Sequence, residues 1–245
     1  MKKVLLLSLL LASVAFAVPK MQLPEETFDF GYVPQSSKVT HTFWIKSVGD
    51  ETLNILNVKP GCGCTKAPLK SDKIVAGDST ELEIIYSTGM HVGQSTKRPT
   101  ITTNEGPPDR RVTIKANAVR EPDSTYPVII SPYKLMVSKA GEIDVDEVDF
   151  SITNVSDQAL DLSLVSIPAG YFSTELPTSI PAGQSARCKL KVKPDHLDET
   201  FEKSLTLQFN DPGKSRFTIP IVRRLIGATA QATTATQAIQ TSGGK

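Results

Sequence analysis

Cys62 and Cys64 stand one glycine apart in "KPGCGCTKAP", residues 59–68, and the chain holds one other cysteine, Cys188. Two thiols at this spacing can close a disulfide, cycle between thiol and disulfide, offer soft ligands to a metal, or pack as small hydrophobes. A disulfide between them closes a tiny ring and removes little loop entropy from the unfolded chain. Its Cα atoms reach the window of ~4.4–6.8 Å only if the backbone kinks, and Gly63 permits a kink. Such a strained bond is among the more easily reduced ones. Stapling the fold is therefore a weak use of the pair.

A metal needs further ligands. If successive strands run antiparallel, loops alternate between the two ends of a sandwich. That parity puts Cys62 and Cys64 at the same end as "STGMHVG" (87–93) and near the start of the strand that carries His41. Met90, His91 and His41 then complete a candidate set, and thiolate, thioether and imidazole suit a soft ion such as copper in its Cu(I) state. Against it, His41 aligns with Val148 at a core-facing position, Met90 and His91 suit a solvated loop, and a single two-cysteine motif is a weak metal signal. Copper ligation, thiol–disulfide cycling at Cys62 and Cys64, and simple loop shaping stay open.

No other catalytic constellation is present. There is no Gly-x-Ser-x-Gly elbow, no His-Glu-x-x-His and no phosphate-binding glycine loop. His41, His91 and His196 are the only histidines. His196 falls in "KPDHLDE", a turn expected to be exposed. "EIDVDEVDF" (142–150) reads as an acidic edge strand, whose charges would block edge-to-edge pairing. Asn154-Val155-Ser156 matches a glycosylation acceptor. The expectation is a protein that is not an enzyme and has no cofactor.

The elements that must position Cys62 and Cys64 are strands. Val39, His41, Phe43 and Ile45 alternate with Thr40, Thr42, Trp44 and Lys46; Leu82, Ile84 and Tyr86 alternate with Glu81, Glu83 and Ile85. The chain also repeats itself. "FWIKSVGDETLNILNV" (43–58) aligns with "FSITNVSDQALDLSLV" (150–165), and "IVAGDSTELEI" (74–84) with "IPAGQSARCKL" (180–190). One repeat has the size of a small β-sandwich, at about 100 residues. The expected fold is all-β, two tandem immunoglobulin-like sandwiches over 22–120 and 125–226, independent of each other and joined by the linker 120–127. The repeat aligns Cys188 with Leu82, which makes it a buried small hydrophobe. The second copy has "IPAGYF" where the first has "KPGCGC", so the fold itself does not require the cysteine pair.

"FDFGYV" (28–33), the run 39–68 with its Cys-Gly-Cys-Thr, "IVAGDSTELEIIY" (74–86) and "TITTN" (100–104) resemble a bacterial domain family of unknown function. That family is similar to the Hydin-like and major-sperm-protein group of immunoglobulin-like sandwiches. The likeness covers about 22–120. The family usually has Asn where Ser47 stands, and Asn154 keeps it in the second half. The resemblance implies fold and export and says little about chemistry.

The opening MKKVLLLSLLLASVAFAVPK sets Lys2 and Lys3 before an apolar run, followed by Ala15-Phe16-Ala17. This order reads as a removable signal peptide, 1–17, too short for a membrane span. The expected location is the periplasm or the extracellular space, where disulfides form. The chain carries 27 Lys+Arg against 26 Asp+Glu, so nucleic acid is not the expected partner. The mature chain has no further apolar span. The tail 227–245, rich in Ala, Thr and Gln, is expected to be disordered. The reading is an exported binding or scaffolding protein whose partner is another envelope protein, with a thiol-redox or copper-handling role as the alternative.

Overall fold

The computed structural model describes residues 17–227. The expected signal peptide lies outside the described residues apart from Ala17, and so does the expected tail beyond Gly227. Among the described residues the regular elements are strands and two short 3-10 turns. The alternation explains why. Along Ser79–Ser87, Thr80, Leu82, Ile84 and Tyr86 point inward and their neighbours outward, the period of a half-buried strand. No helix among the described residues is long and apolar enough to cross a membrane.

The buried hydrophobics form two clusters. One lies between Met21 and Ala118 around Phe30, Phe43, Leu82 and Ile84; the other lies between Val128 and Ile221 around Phe150, Leu190, Phe209 and Phe217. Cys188 is in the second cluster, opposite Phe150, as its alignment with Leu82 requires.

The repeat has a structural counterpart. In the first half, Met21–Gln22, Lys38–Ser47, Ser79–Ser87 and Thr65–Lys66 form a sheet in that order. In the second half, Val128–Ser131, Glu147–Asn154, Ser185–Val192 and Phe172–Glu175 do the same. The side chain of Asn104 accepts the Asn54 amide at 2.8 Å, and that of Asn210 accepts the Asp161 amide at 2.9 Å. The repeat therefore reaches down to individual hydrogen bonds.

The acidic stretch 142–150 is an edge: Ile143–Asp144 is the outer strand of a three-stranded sheet, and Glu147–Phe150 pairs on one side only, with Ser185–Val192, because Val128–Ser131 covers just Ser151–Asn154. On the paired side its acids face a basic neighbour: Arg187 reaches Asp149 at 2.5 Å and Lys189 reaches Glu147 at 2.8 Å. The charges were patterned for a partner strand, which a single stretch of sequence does not show. Asn154 is fully buried and its amide donates to Gln158 and Ile180 carbonyls, so it does not present a glycosylation acceptor.

The halves are not independent bodies on a linker. One large sheet runs through both, in the order Ser179–Ile180, Leu160–Ser166, Phe201–Phe209, Arg216–Arg223, Thr27–Pro34, Thr113–Val119, Gly93–Lys97. The crossing is the parallel contact of Tyr32 with Phe217. Gly31 makes it feasible. Its φ is +63°, and a Cβ there would stand 2.0 Å from the Arg216 carbonyl oxygen. The pairing of Thr27–Pro34 with Thr113–Val119 shifts register at this point, a bulge that turns the strand toward its partner. Buried hydroxyls finish the join. Thr218 donates to the Phe30 carbonyl at 2.7 Å, and the Ser204 hydroxyl both accepts the Thr40 amide at 2.8 Å and donates to the Thr40 carbonyl at 3.1 Å.

Ser47 and Asn154 occupy equivalent places, and only one is satisfied. Asn154 makes two donor bonds and accepts from Ser156, whereas the buried Ser47 hydroxyl has no partner among the described residues. Restoring the longer side chain should reach the carbonyls around it. Ser47→Asn is expected to stabilise the protein by about 1 kcal/mol, read as a higher denaturant midpoint. A lower midpoint would mean the pocket around Ser47 has closed too far to admit an amide.

Candidate functional site

Cys62 and Cys64 are joined in a disulfide, with Cα atoms 5.2 Å apart. The loop that holds them is closed by two backbone bonds: Thr65 N–H to the Cys62 carbonyl at 3.2 Å, and Ser87 N–H to the Cys64 carbonyl at 2.8 Å. Thr65–Lys66 then pairs with Tyr86 and Ile85. The chain bends at Gly63, which brings the flanking Cα atoms to 5.2 Å, and Gly61, with a φ of +85°, turns the backbone just before the ring. Gly63 has no left-handed φ, and a Cβ built on it would meet nothing within 4 Å.

Thr65 is buried beneath the sulfurs. Its hydroxyl lies 3.3 Å from Cys62 Sγ and 3.8 Å from Cys64 Sγ. Both cysteines are half-exposed. Sequence reasoning quoted Thr65 in its motif but gave it no role.

Gly63 and Cys64 form part of the wall of a groove of about 670 Å³ between the halves. Lys38, Lys66, Glu83 and Ser87 line it from the first half, and Tyr171, Glu202, Lys203 and Arg224 from the second. Ion pairs cross it: Lys203 to Glu83 and Lys38 to Glu202, each at 2.5 Å. Arg224 also reaches Glu202. Burial opposes ionisation of Glu202, but hydrogen bonds from Lys38 and Arg224 outweigh it and hold its carboxyl below the usual range. The stability that Glu202 contributes is therefore present at neutral pH and is lost as pH falls through its folded pKa. No stretch of sequence announces this groove, because it exists only where two distant strands are joined.

The five residues proposed as metal ligands do not share one cluster. Parity did place the Cys62–Cys64 loop beside the 87–93 loop. Within that loop Met90 is exposed, with its sulfur against the Ser36 hydroxyl at 3.6 Å, and His91 Nε2 faces the Gln94 carbonyl at 3.2 Å. His41 is engaged elsewhere. Its ring stacks on Phe28 at 3.5 Å, its Nε2 meets Glu25 at 2.7 Å and its Nδ1 meets Ser166 of the second half at 3.0 Å. No group of three His, Cys, Asp or Glu among the described residues stands ready to hold a metal ion. Sulfurs bonded to each other are also not thiolates, so a copper role would need the pair reduced. His196 is not a free turn residue: it stacks on Tyr171 at 3.7 Å and contacts Glu199. Burial pushes the Cys188 thiol up to about 11, so it is inert beside the exposed pair.

Residues 21–118, less than half of the chain, match the family described as "Protein of unknown function (DUF1573)". No curated protein matches the chain. Among solved structures it is similar to a protein of unknown function from Porphyromonas gingivalis W83, at 15% identity over 84% of this chain and 99% of that one, with a TM-score of 0.36. It is also similar to PapD-like domain 7 of human CEP192, at 7% identity over 49% and 99% of the two chains and a TM-score of 0.37. A third is WR4, a C. elegans MSP family member, at 15% identity over 41% and 99% and a TM-score of 0.31.

The cysteine pair is expected to be dispensable for folding. Replacing Cys62 and Cys64 together by Ser should cost no more than about 1.5 kcal/mol, because so small a ring constrains the unfolded chain far less than a long one. Cys188→Ser should cost about 1–3 kcal/mol, since it puts a hydroxyl into an apolar cluster. The measurement is the denaturant midpoint of each variant. The reverse order would make the pair a structural staple.

Proposed function

We propose that this chain is exported to the periplasm or beyond and works there as a binding or scaffolding protein. The observation that carries the reading is the groove enclosed by the joined halves. It is lined from both sides by residues whose charges alternate in sign, a surface suited to a folded or extended protein segment with its own mixed charges. Export rests on the order of charge, apolar run and small residues in 1–17. It is supported by the way the chain becomes engaged just after that point: the Val18 carbonyl accepts from Asp50, and the Lys20 carbonyl from Val48. The reading takes Cys-Gly-Cys-Thr at 62–65 as the hallmark of the family matched over 21–118. It places the partner among other proteins of the envelope, with no nucleic acid involved.

The test is site-specific photo-crosslinking in the native cell. A photoreactive residue at Lys66 inside the groove should give a discrete crosslinked species in the envelope fraction. The same residue at exposed Val155 should not. The captured chain should begin at Val18 by mass. Equal crosslinking at both sites, or a soluble chain that retains 1–17, would overturn the reading.

A further inference from the structure

The cysteine loop has three features that folding alone does not call for. The disulfide adds little to stability, because its ring spans only three residues. Gly63 has an ordinary φ and open space where a side chain would go, so the backbone does not demand glycine there. Its bareness leaves the approach to the sulfurs from the groove unobstructed. The third feature is the buried Thr65 hydroxyl, whose only hydrogen-bond partners among the described residues are the two sulfurs. A disulfide sulfur is a weak acceptor and a thiolate a strong one. Thr65 is thus poorly satisfied in the oxidised state and well satisfied once the bond opens.

From this geometry we infer that Cys62–Cys64 is a thiol–disulfide exchange centre that oxidises a dithiol presented in the groove. The inference does not rest on the scaffolding reading, since it concerns the pair and its immediate neighbours. A thiolate of the incoming dithiol attacks the sulfur of Cys64, a residue in the wall of the groove. The Cys62–Cys64 bond breaks, and its electron pair leaves on Cys62 Sγ. That sulfur is the nearer one to Thr65, at 3.3 Å, and the threonine hydroxyl donates to the thiolate formed there. A mixed disulfide now joins Cys64 to the incoming chain. The second thiolate of that chain attacks its own sulfur in the mixed bond and expels Cys64 as a thiolate. The incoming dithiol ends as a disulfide, two electrons poorer, and its two protons finish on Cys62 and Cys64. Each molecule oxidises one dithiol and then holds a reduced pair. The substrate class is a peptide or protein dithiol, and Thr65 acts as the positioning residue for the leaving sulfur.

The test uses the full mature protein, oxidised, with a reduced synthetic peptide carrying two cysteines two residues apart. Mass spectrometry should show the peptide converted to its disulfide while the protein gains two thiols. Cys188 does not contribute, being buried in the second core. Thr65→Val should slow the exchange about tenfold, the loss expected for one hydrogen bond to a charged sulfur. Because Thr65 is buried, a second variant is needed that leaves the core alone. Gly63→Leu should keep the wild-type denaturant midpoint and still slow exchange several-fold by screening the sulfurs. A peptide that stays reduced beside the oxidised wild type would overturn the inference. So would both variants exchanging as fast as wild type.

Discussion

The close approach of Gly31 to the Arg216 carbonyl is the constraint on which the rest of this molecule depends. Any side chain at position 31 would collide with that oxygen, and the left-handed φ there already favours glycine. With glycine in place, the strand Thr27–Pro34 bulges and lies against Arg216–Arg223. Two repeats that could have been beads on a string become one sheet seven strands wide along its main path. The join is held mainly from inside. Thr218, Ser204 and Thr206 are buried and hydrogen-bonded, with Thr206 paired to Thr218 at 2.8 Å. Ion pairs at the groove are partly solvated and add ~0–1 kcal/mol each, so they fix register more than they hold the halves together.

The groove is a consequence of that join. Ser79–Ser87 and Lys66 line it from one half and Phe201–Phe209 from the other, and Gly63 and Cys64 stand in its wall. The same join draws His41 into the interface, where Glu25 and Ser166 occupy both ring nitrogens. A histidine that might have served as a ligand is thereby spent on holding the halves in place. The cysteine pair is spared such a role. It lies at the groove wall, half-exposed, with a hydroxyl beneath it and no side chain in front of it.

Much of the fold was legible in the sequence, because alternation and repetition are local signals. The inward face of Lys38–Ser47 and the burial of Cys188, aligned with Leu82, follow from spacing alone. The join was not legible. Gly31 sits in "FDFGYV" like any turn glycine, and its partner Arg216 is far along the chain. The acids at 147 and 149 read as an edge, and they are unpaired on one side, but their basic partners across the other side, Lys189 and Arg187, belong to another stretch of sequence and were not legible. The site was half legible. Cys62 and Cys64 announced themselves, and strand parity placed them beside the 87–93 loop. Parity fixes which end of a sandwich a residue occupies and leaves open where its side chain points, so Met90, His91 and His41 seemed to converge when they do not. Thr65 gave no signal, since a threonine that touches sulfur looks like any strand threonine.

The central claim is that the two halves form one body, joined strand to strand. Amide hydrogen exchange at Thr40 tests it most directly. That amide donates to no backbone carbonyl in its own sheet; its partner is the Ser204 hydroxyl of the other half, at 2.8 Å. Exchange measured by NMR on the intact protein should show Thr40 protected to the same degree as its neighbours in Lys38–Ser47, reporting global unfolding. Rapid exchange at Thr40 beside slow exchange at Phe43 and Ile45 would mean that the halves part freely in solution, and the account of a single body with a fixed groove would be contradicted.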